Sequence, residues 1–261
     1  MHFPILDDPA ILTRVFRPYS VFPGNLDDNV YDGTLVVEDN IVLGFRLYAH
    51  QPNRAVIVYF HGNSEVAADY DLIALYFHRL AGVSLLVVDY RGYGWSTGKP
   101  SFSALLSDTE IVYRGLSAIL ERAELQNSPR YVMGRSLGSA PAIHLAYAHP
   151  DTFHGLILES GFADVPSLLR QLGVSQALVD KTTDELGNVR KLTELKLPLL
   201  VIHGEQDTLL PIAHGERLYQ ASAGIPKLMV RIPGAGHNNL LSTGSNRYFA
   251  AIKDFVNGTL N

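Results

Sequence analysis

The 261-residue sequence predicts one α/β domain, with a mostly parallel β-sheet covered by helices on both faces. Three observations support this prediction. Short apolar runs alternate with segments of helical periodicity along most of the chain, which is typical of parallel strands joined by crossover helices. Several runs are apolar at nearly every position, as expected for strands buried on both faces. Hydrophobic residues make up 47% of the chain, enough for a sizeable core.

The elements follow from the N-terminus in order. Residues 1–32 are rich in proline and aspartate, and we predict that they form an N-terminal extension packed on the domain. Strands over 34–38 and 41–49 flank Asp39-Asn40 and predict a β-hairpin that gives the sheet an antiparallel edge. Further strands are predicted at 55–60, 83–90, 130–133, 153–158, 199–203 and 228–232, and helices at 66–80, 104–122, 137–148, 213–220 and 248–256.

One segment, between Glu159 and Pro198, interrupts the alternation because it contains no convincing buried strand. Helical periodicity over 165–172, 174–179 and 189–195 leads us to interpret residues 162–196 as a small helical cap over the site. An ordinary crossover helix with a long loop is the alternative. If the segment is a cap, its leucines are candidates for lining an apolar acyl pocket. These are Leu168, Leu169, Leu172 and Leu178.

The composition limits the classes of function. The net charge of −5 is modest and no basic patch is present, so nucleic acid is not an expected partner. No apolar run approaches the ~20 residues needed to span a bilayer. Cysteine is absent, so neither disulfides nor a thiolate metal site is expected. With no export signal visible, a cytoplasmic location is expected, and the sequence leaves the oligomeric state open.

The most informative segment is Gly134-Arg135-Ser136-Leu137-Gly138, which lies between a predicted strand and a predicted helix. A Gly-x-Ser-x-Gly turn in that context holds its serine in a strained conformation with the hydroxyl exposed. The two glycines lack Cβ atoms, which lets the strand and the helix pack closely. Ser136 is therefore the candidate nucleophile, with a helix N-cap serine as the plainer alternative.

A serine nucleophile needs a base and an acid that orients the base. Asp207 follows the strand at 199–203, and His237 lies in a glycine-rich loop after the strand at 228–232. We predict that His237 is the base and that Asp207 orients it. His61 and His203 are rivals for the base because both lie at strand ends. Glu159 is the rival acid, but we expect it instead to bond loop backbone near the site.

Further site residues follow from position. An oxyanion hole needs two backbone N–H groups, and Leu137, directly after the serine, supplies the first. Asn63, in the His-Gly loop after the strand at 55–60, is the predicted second donor, with Gly62 or Ser64 as alternatives. Arg135 either attracts an anionic substrate or pairs with an acid. Asp89 and Arg91 are interpreted as structural residues, and Tyr93 and Trp95 either line the pocket or pack in the core.

The chain resembles the α/β-hydrolase superfamily of serine hydrolases from about residue 33 to the C-terminus, in particular its compact esterase- and thioesterase-like group. The matching motifs are Tyr59-Phe60-His61-Gly62-Asn63, Asp89-Tyr90-Arg91-Gly92-Tyr93-Gly94-Trp95-Ser96-Thr97-Gly98, Gly134-Arg135-Ser136-Leu137-Gly138-Ser139, Glu159-Ser160-Gly161-Phe162, His203-Gly204-Glu205-Gln206-Asp207 and Gly236-His237.

The resemblance implies a cofactor-free and metal-free Ser-His-Asp hydrolase acting on a small-molecule ester or thioester. The order serine, acid, histidine along the chain is the superfamily's order. Hydrolysis of amides or peptides, as in prolyl-peptidase-like enzymes, is the alternative, and a binding protein of this fold without catalytic activity is the third hypothesis.

Overall fold

The computed structural model describes residues 1–24 and 28–259. Within them, eight strands form one sheet in the order β1-β2-β4-β3-β5-β6-β7-β8. Strand β2 pairs antiparallel with β1 and with β4, and every other pairing is parallel. The strands are β1 (Val30–Glu38), β2 (Ile41–Tyr48), β3 (Val56–Phe60), β4 (Ser84–Val88), β5 (Arg130–Arg135), β6 (Gly155–Glu159), β7 (Leu199–Gly204) and β8 (Lys227–Ile232). The predicted fold class, with its antiparallel hairpin at one edge, is confirmed.

Helices surround this sheet. They are α1 (Pro9–Val15), α2 (Asp71–Tyr76), α3 (Phe102–Ser107), α4 (Thr109–Glu121), α5 (Ser139–Ala148), α6 (Val165–Gln171), α7 (Gln176–Val179), α8 (Asn188–Glu194), α9 (Ala213–Ala221) and α10 (Leu240–Val256). Among the residues described, none of the helices combines the length and the apolar character needed to cross a bilayer.

The core has two layers, one on each face of the sheet, because successive side chains of a strand point to opposite faces. In β3, Val56, Val58 and Phe60 belong to one apolar cluster, which α1, α3, α4 and α5 complete. Ile57 and Tyr59 belong to the other, which includes side chains of α10. All five residues of β3 are buried, which explains why its sequence is apolar without alternation.

The structure corrects the predicted bounds of three helices. The predicted helix at 66–80 is a 3-10 turn, α2 and a wider turn of π type in succession. The predicted helix at 104–122 is divided at Asp108, whose carboxylate binds Arg91. The last helix, predicted to begin at Tyr248 or to continue through it, begins at Leu240, and Gly244 inside it has non-helical dihedral angles that interrupt the apolar periodicity.

Two predicted segments contribute residues near the site. The proposed extension at 1–32 contains α1 and the first residues of β1, and its positions 25–27 lie outside the described residues. Ile11 and Val15 of α1 are buried in the core. The segment at 162–196 holds α6, α7 and α8 between β6 and β7. That it forms a cap insertion distinct from the rest of the domain stays a prediction.

Candidate active site

The predicted site residues lie in loops at one edge of the sheet. Strands β3, β5, β7 and β8 run parallel to one another, so their carboxyl ends share that edge. Asn63 follows β3, Ser136 follows β5, Asp207 follows β7 and His237 follows β8. Residues up to 174 positions apart in the chain are brought together in this way.

Three of these side chains form a continuous path of hydrogen bonds. The Oγ atom of Ser136 lies 2.9 Å from Nε2 of His237, and Nδ1 of His237 lies 2.7 Å from Oδ2 of Asp207. An ionised carboxylate only accepts hydrogen bonds, so Nδ1 must carry the proton. Nε2 is then left as an acceptor facing the hydroxyl of Ser136.

The Asp207 carboxylate is fixed by its own loop. Its Oδ1 atom accepts hydrogen bonds from the backbone N–H groups of Leu209, at 3.0 Å, and Leu210, at 2.8 Å. Burial alone would raise the pKa of this carboxyl, but hydrogen bonding from the His203 and His237 rings outweighs it and holds the pKa well below its usual range. Asp207 is therefore a permanent anion beside His237 at neutral pH.

The turn that holds Ser136 is strained. Ser136 has a φ of +52°, in the left-handed region that non-glycine residues occupy at a cost of about 1–3 kcal/mol. The residue is only 8% exposed. Side chains of α1 and α6 line the cavity that Ser136 faces.

The glycines beside Ser136 are required by close packing, as predicted. A Cβ atom on Gly134 would lie 2.1 Å from the carbonyl oxygen of Gly138, and one on Gly138 would lie 2.1 Å from the carbonyl oxygen of Phe60. These neighbours are backbone atoms, which cannot rotate away as a flexible side chain could.

Gly138→Ala is therefore expected to lower the free energy of unfolding by about 1–3 kcal/mol through overpacking. Chemical denaturation of the variant and of the wild-type protein measures the difference. Gly258→Ala is a useful comparison because nothing lies within 4 Å of its added Cβ, although its positive φ of 67° carries a conformational cost of its own. A Gly138 variant as stable as the wild-type protein would contradict the close approach of Phe60.

The two backbone N–H groups predicted for the oxyanion hole have no acceptor within the described part of the chain. These are the groups of Leu137 and Asn63. By contrast, the N–H of Gly62 donates to Glu65 Oε2 at 2.8 Å, and that of Ser64 donates to Asn63 Oδ1 at 3.1 Å. Of the three candidates in the loop after β3, only Asn63 thus keeps an uncommitted donor.

The Asn63 side chain ties this loop to the N-terminal segment. Its Oδ1 atom accepts from the backbone N–H of Arg17, at 2.9 Å, and from the hydroxyl of Tyr93, at 2.7 Å. Its amide nitrogen donates to the carbonyl oxygen of Val15. The sequence did not predict this role, because contacts between residues 46 and 48 positions apart leave no local pattern.

Arg135 pairs with two acids. It donates to Glu65 and, at 3.1 Å, to Glu159, which confirms the prediction that it binds an acid. It also donates to the carbonyl oxygen of His237 at 3.0 Å and to Asn238 at 2.9 Å. Arg135, the residue directly before Ser136, thus holds the loop that carries the proposed base His237.

The rivals for the base and for the acid lie elsewhere. Glu159 binds Arg135 and, at 2.7 Å, the hydroxyl of Tyr248. This corrects the expectation that it bonds loop backbone. The ring of His61 lies 2.7 Å from the carbonyl oxygen of Gly62. His203 lies behind Asp207, with Nε2 2.8 Å from the carbonyl oxygen of Leu210 and 3.4 Å from the Asp207 carboxylate.

Ser136 faces a cavity of about 460 Å³. Of the four leucines predicted to line an acyl pocket, Leu168 and Leu172 do so, whereas Leu169 and Leu178 do not, and all four contact the core. Leu209 and Leu210 complete the apolar wall. This pair was not predicted, although Leu209 and Leu210 lie only two and three positions after Asp207.

The motif after β4 is structural, as predicted. Asp89 accepts a hydrogen bond from the N–H of Ala67 at 2.8 Å, and Arg91 binds Asp108 and Glu38. Tyr93 is fully buried. Trp95 donates to a carbonyl oxygen of β1, and neither aromatic side chain lines the cavity.

Comparison with known proteins supports the fold and the family. Residues 51–186, just over half of the chain, match the family described as "Serine aminopeptidase, S33". Protein bem46 of Schizosaccharomyces pombe is 28% identical over 210 residues, covering 78% of this chain and 68% of that protein.

Two solved structures show the same architecture. Esterase Pf2001 of Pyrococcus furiosus superposes with a TM-score of 0.69 at 17% identity, covering 93% of this chain and 99% of its own. Est1E of Butyrivibrio proteoclasticus, solved with ferulic acid, superposes with a TM-score of 0.67 at 18% identity, covering 87% and 98%. At these low identities, the two solved structures establish the fold alone. The family match places the chain in the serine aminopeptidase S33 family of the α/β-hydrolase superfamily, as a hydrolase of that fold.

Proposed function

We propose that this hydrolase cleaves carboxylic ester or thioester bonds of small molecules through a Ser136-His237-Asp207 triad, without a cofactor. The observation that carries the proposal is the path of hydrogen bonds from Asp207 through His237 to Ser136, at 2.7 and 2.9 Å. That path ends at a cavity large enough for a small-molecule substrate.

The first half of the reaction forms an acyl-enzyme. Oγ of Ser136 attacks the carbonyl carbon while Nε2 of His237 takes the hydroxyl proton. The negative charge that develops on the carbonyl oxygen is stabilised by the backbone N–H groups of Leu137 and Asn63. The intermediate then collapses, and Nε2 returns the proton to the departing alcohol or thiol.

The second half restores the enzyme. A water molecule gives a proton to Nε2 of His237 and attacks the acyl carbonyl. The second intermediate then collapses, Nε2 returns the proton to Oγ of Ser136, and the carboxylic acid is released. In both halves the Asp207 anion keeps His237 in the required tautomer and stabilises its protonated form. The low pKa of the Asp207 carboxyl supports that role.

The cavity favours esters over peptides with a free amino terminus. The family's description names an aminopeptidase, so amide hydrolysis is the second candidate. Recognition of an α-ammonium group would need an uncommitted carboxylate. Glu65 is the acidic residue among the side chains that line the cavity, and Arg135 and the Tyr70 hydroxyl already bind it.

Hydrolysis of p-nitrophenyl esters from acetate to palmitate, beside aminoacyl p-nitroanilides, tests the proposal. We expect turnover of medium-chain esters, because the leucines of the cavity bury an acyl chain, and little or no turnover of the anilides. Labelling of Ser136 by a fluorophosphonate tests the third hypothesis, a binding protein without catalytic activity. Turnover of anilides alone would favour the peptidase, and an unlabelled, inactive protein would favour the binder.

A cytoplasmic location stays a prediction.

A further inference from the structure

We propose that the substrate carries an anionic group that binds Arg14 and Arg17 at the mouth of the cavity, with its apolar part against the leucines of the cavity lining. The proposal rests on the proposed hydrolase function and narrows its substrate class to anionic amphiphiles. The anionic chemistry is that of a carboxylate, sulfate or phosphate, carried either on the leaving group or at the far end of the acyl chain.

The first support is position. Arg14 and Arg17 line the same cavity as Ser136 and His237, and both side chains are exposed. Within residues 1–24 and 28–259, neither guanidinium takes part in an ion pair or a side-chain hydrogen bond. The arginines that do form ion pairs there are Arg46, Arg91, Arg114, Arg135, Arg190, Arg217 and Arg231.

The second support is the sign of the local charge. The chain as a whole carries a net charge of −5, but apart from the proposed base His237 the acidic and basic side chains that line the cavity are three arginines and Glu65. Arg135 and Glu65 bind each other, which leaves two positive charges facing the cavity. A low-dielectric cleft lined by one sign of charge attracts ligands of the opposite sign.

The third support is the rigidity of the segment that carries the arginines. The neighbours of Arg14 and Arg17 in sequence, Val15 and Phe16, are buried in the core. The backbone N–H of Arg17 is held by Asn63 and by the Tyr93 hydroxyl, both at 2.9 Å. Binding an anion therefore requires ordering of the two side chains only, which limits the entropic cost.

The leucines of the cavity lining explain why the ligand should be amphiphilic. Leu168, Leu172, Leu209 and Leu210 form an apolar surface that favours burial of a hydrocarbon chain. Arginine is suited to the other end of such a molecule because its planar fork binds carboxylate and phosphate oxygens in pairs.

A matched set of esters tests the proposal. The neutral reference is 2-nitrophenyl octanoate. The same ester with a carboxylate on the leaving group is 3-octanoyloxy-4-nitrobenzoate, and with a carboxylate on the acyl chain it is mono-2-nitrophenyl suberate. We expect the wild-type protein to prefer one of the anionic esters by about five- to tenfold in kcat/KM, mainly through KM, which is the size expected for two exposed charge pairs.

The Arg14→Gln/Arg17→Gln double variant should remove this preference, and about 1 M salt, where the Debye length is ~3 Å, should weaken it. Arg122→Gln is the matched control, since Arg122 is exposed and lies outside the cavity lining. For each anionic ester, the test compares its kcat/KM with that of the neutral ester. If this ratio is the same in the wild-type protein and the double variant for both anionic esters, the proposal is overturned. Hydrolysis of the neutral ester shows separately whether the protein is a hydrolase, because that reaction does not depend on binding of an anion.

A binding measurement gives a second readout that needs no turnover. Calorimetric titration of the Ser136→Ala protein with octyl phosphate should give a Kd that the double variant raises about five- to tenfold, whereas octyl glucoside should show no such change. Equal weakening for both amphiphiles, or for neither, would contradict anion binding by Arg14 and Arg17 even if no ester were a substrate.

Discussion

Replacing Ser136 by alanine is expected to lower kcat for ester hydrolysis by at least about 10⁴-fold, because no other group in the path can form the acyl-enzyme. What remains would come from the oxyanion donors and from binding of the substrate. The fold should survive, since alanine fills less space in the same turn. Steady-state kinetics on the preferred p-nitrophenyl ester, together with loss of fluorophosphonate labelling, measure the effect.

Ser117→Ala is the matched control for this variant. Ser117 lies on the exposed face of α4 and outside the cavity lining, so kcat should stay within about twofold of the wild-type value. Thermal melts of both variants confirm that each is folded. Ester turnover at the wild-type rate by a folded Ser136→Ala protein would rule out the proposed nucleophile.

Replacing Arg135 by methionine is expected to lower the free energy of unfolding by about 3–5 kcal/mol, because it leaves the buried carboxylate of Glu159 and the partly buried carboxylate of Glu65 without their cation. Glu159 is only 5% exposed and Glu65 23%, so water cannot fully replace the guanidinium. The change also removes the hydrogen bond to the carbonyl oxygen of His237, so kcat should fall as well. Urea denaturation measures the loss of stability.

Arg114→Met is the matched control for a lost ion pair. Arg114 binds Glu110 on the surface of α4, where the two side chains are 70% and 41% exposed, so the expected cost is below about 1 kcal/mol. Equal losses from the two variants would contradict the burial argument. Adding Glu159→Gln to the Arg135 variant should recover part of the stability.

The effect of Arg135→Met should also depend on pH. Burial alone would raise the pKa of the Glu65 carboxyl, but the Arg135 charge and the Tyr70 hydroxyl outweigh it and hold the pKa below its usual value. A lowered carboxyl pKa contributes stability above the pKa of the unfolded state, about 4.3, and that contribution is lost as the pH falls through the folded pKa. The gap between wild-type and variant stability should therefore narrow below about pH 4.

The residues that sequence analysis located have a short-range pattern. Ser136, Asp207 and His237 each lie in a loop that follows an apolar strand, and parallel strands bring such loops to one edge of the sheet. The strands themselves were predicted closely because burial on both faces makes them apolar throughout, as in β3.

The features that sequence analysis missed depend on long-range contacts or on which face of a helix is covered. Asn63 was predicted through its backbone, but its side-chain bonds to the N-terminal segment have no sequence signal. Leu168 and Leu169 are adjacent and chemically identical and both belong to the core, yet only Leu168 also lines the cavity. Only the orientation of α6 on the domain separates them.

The positive φ of Ser136 sets the stability of the turn against the proposed chemistry at a single residue. Glycine tolerates this conformation without the conformational penalty that serine bears, so Ser136→Gly would relax the turn and delete the proposed nucleophile in one exchange. Of the two proteins, the one with the more strained turn is the one that keeps the hydroxyl.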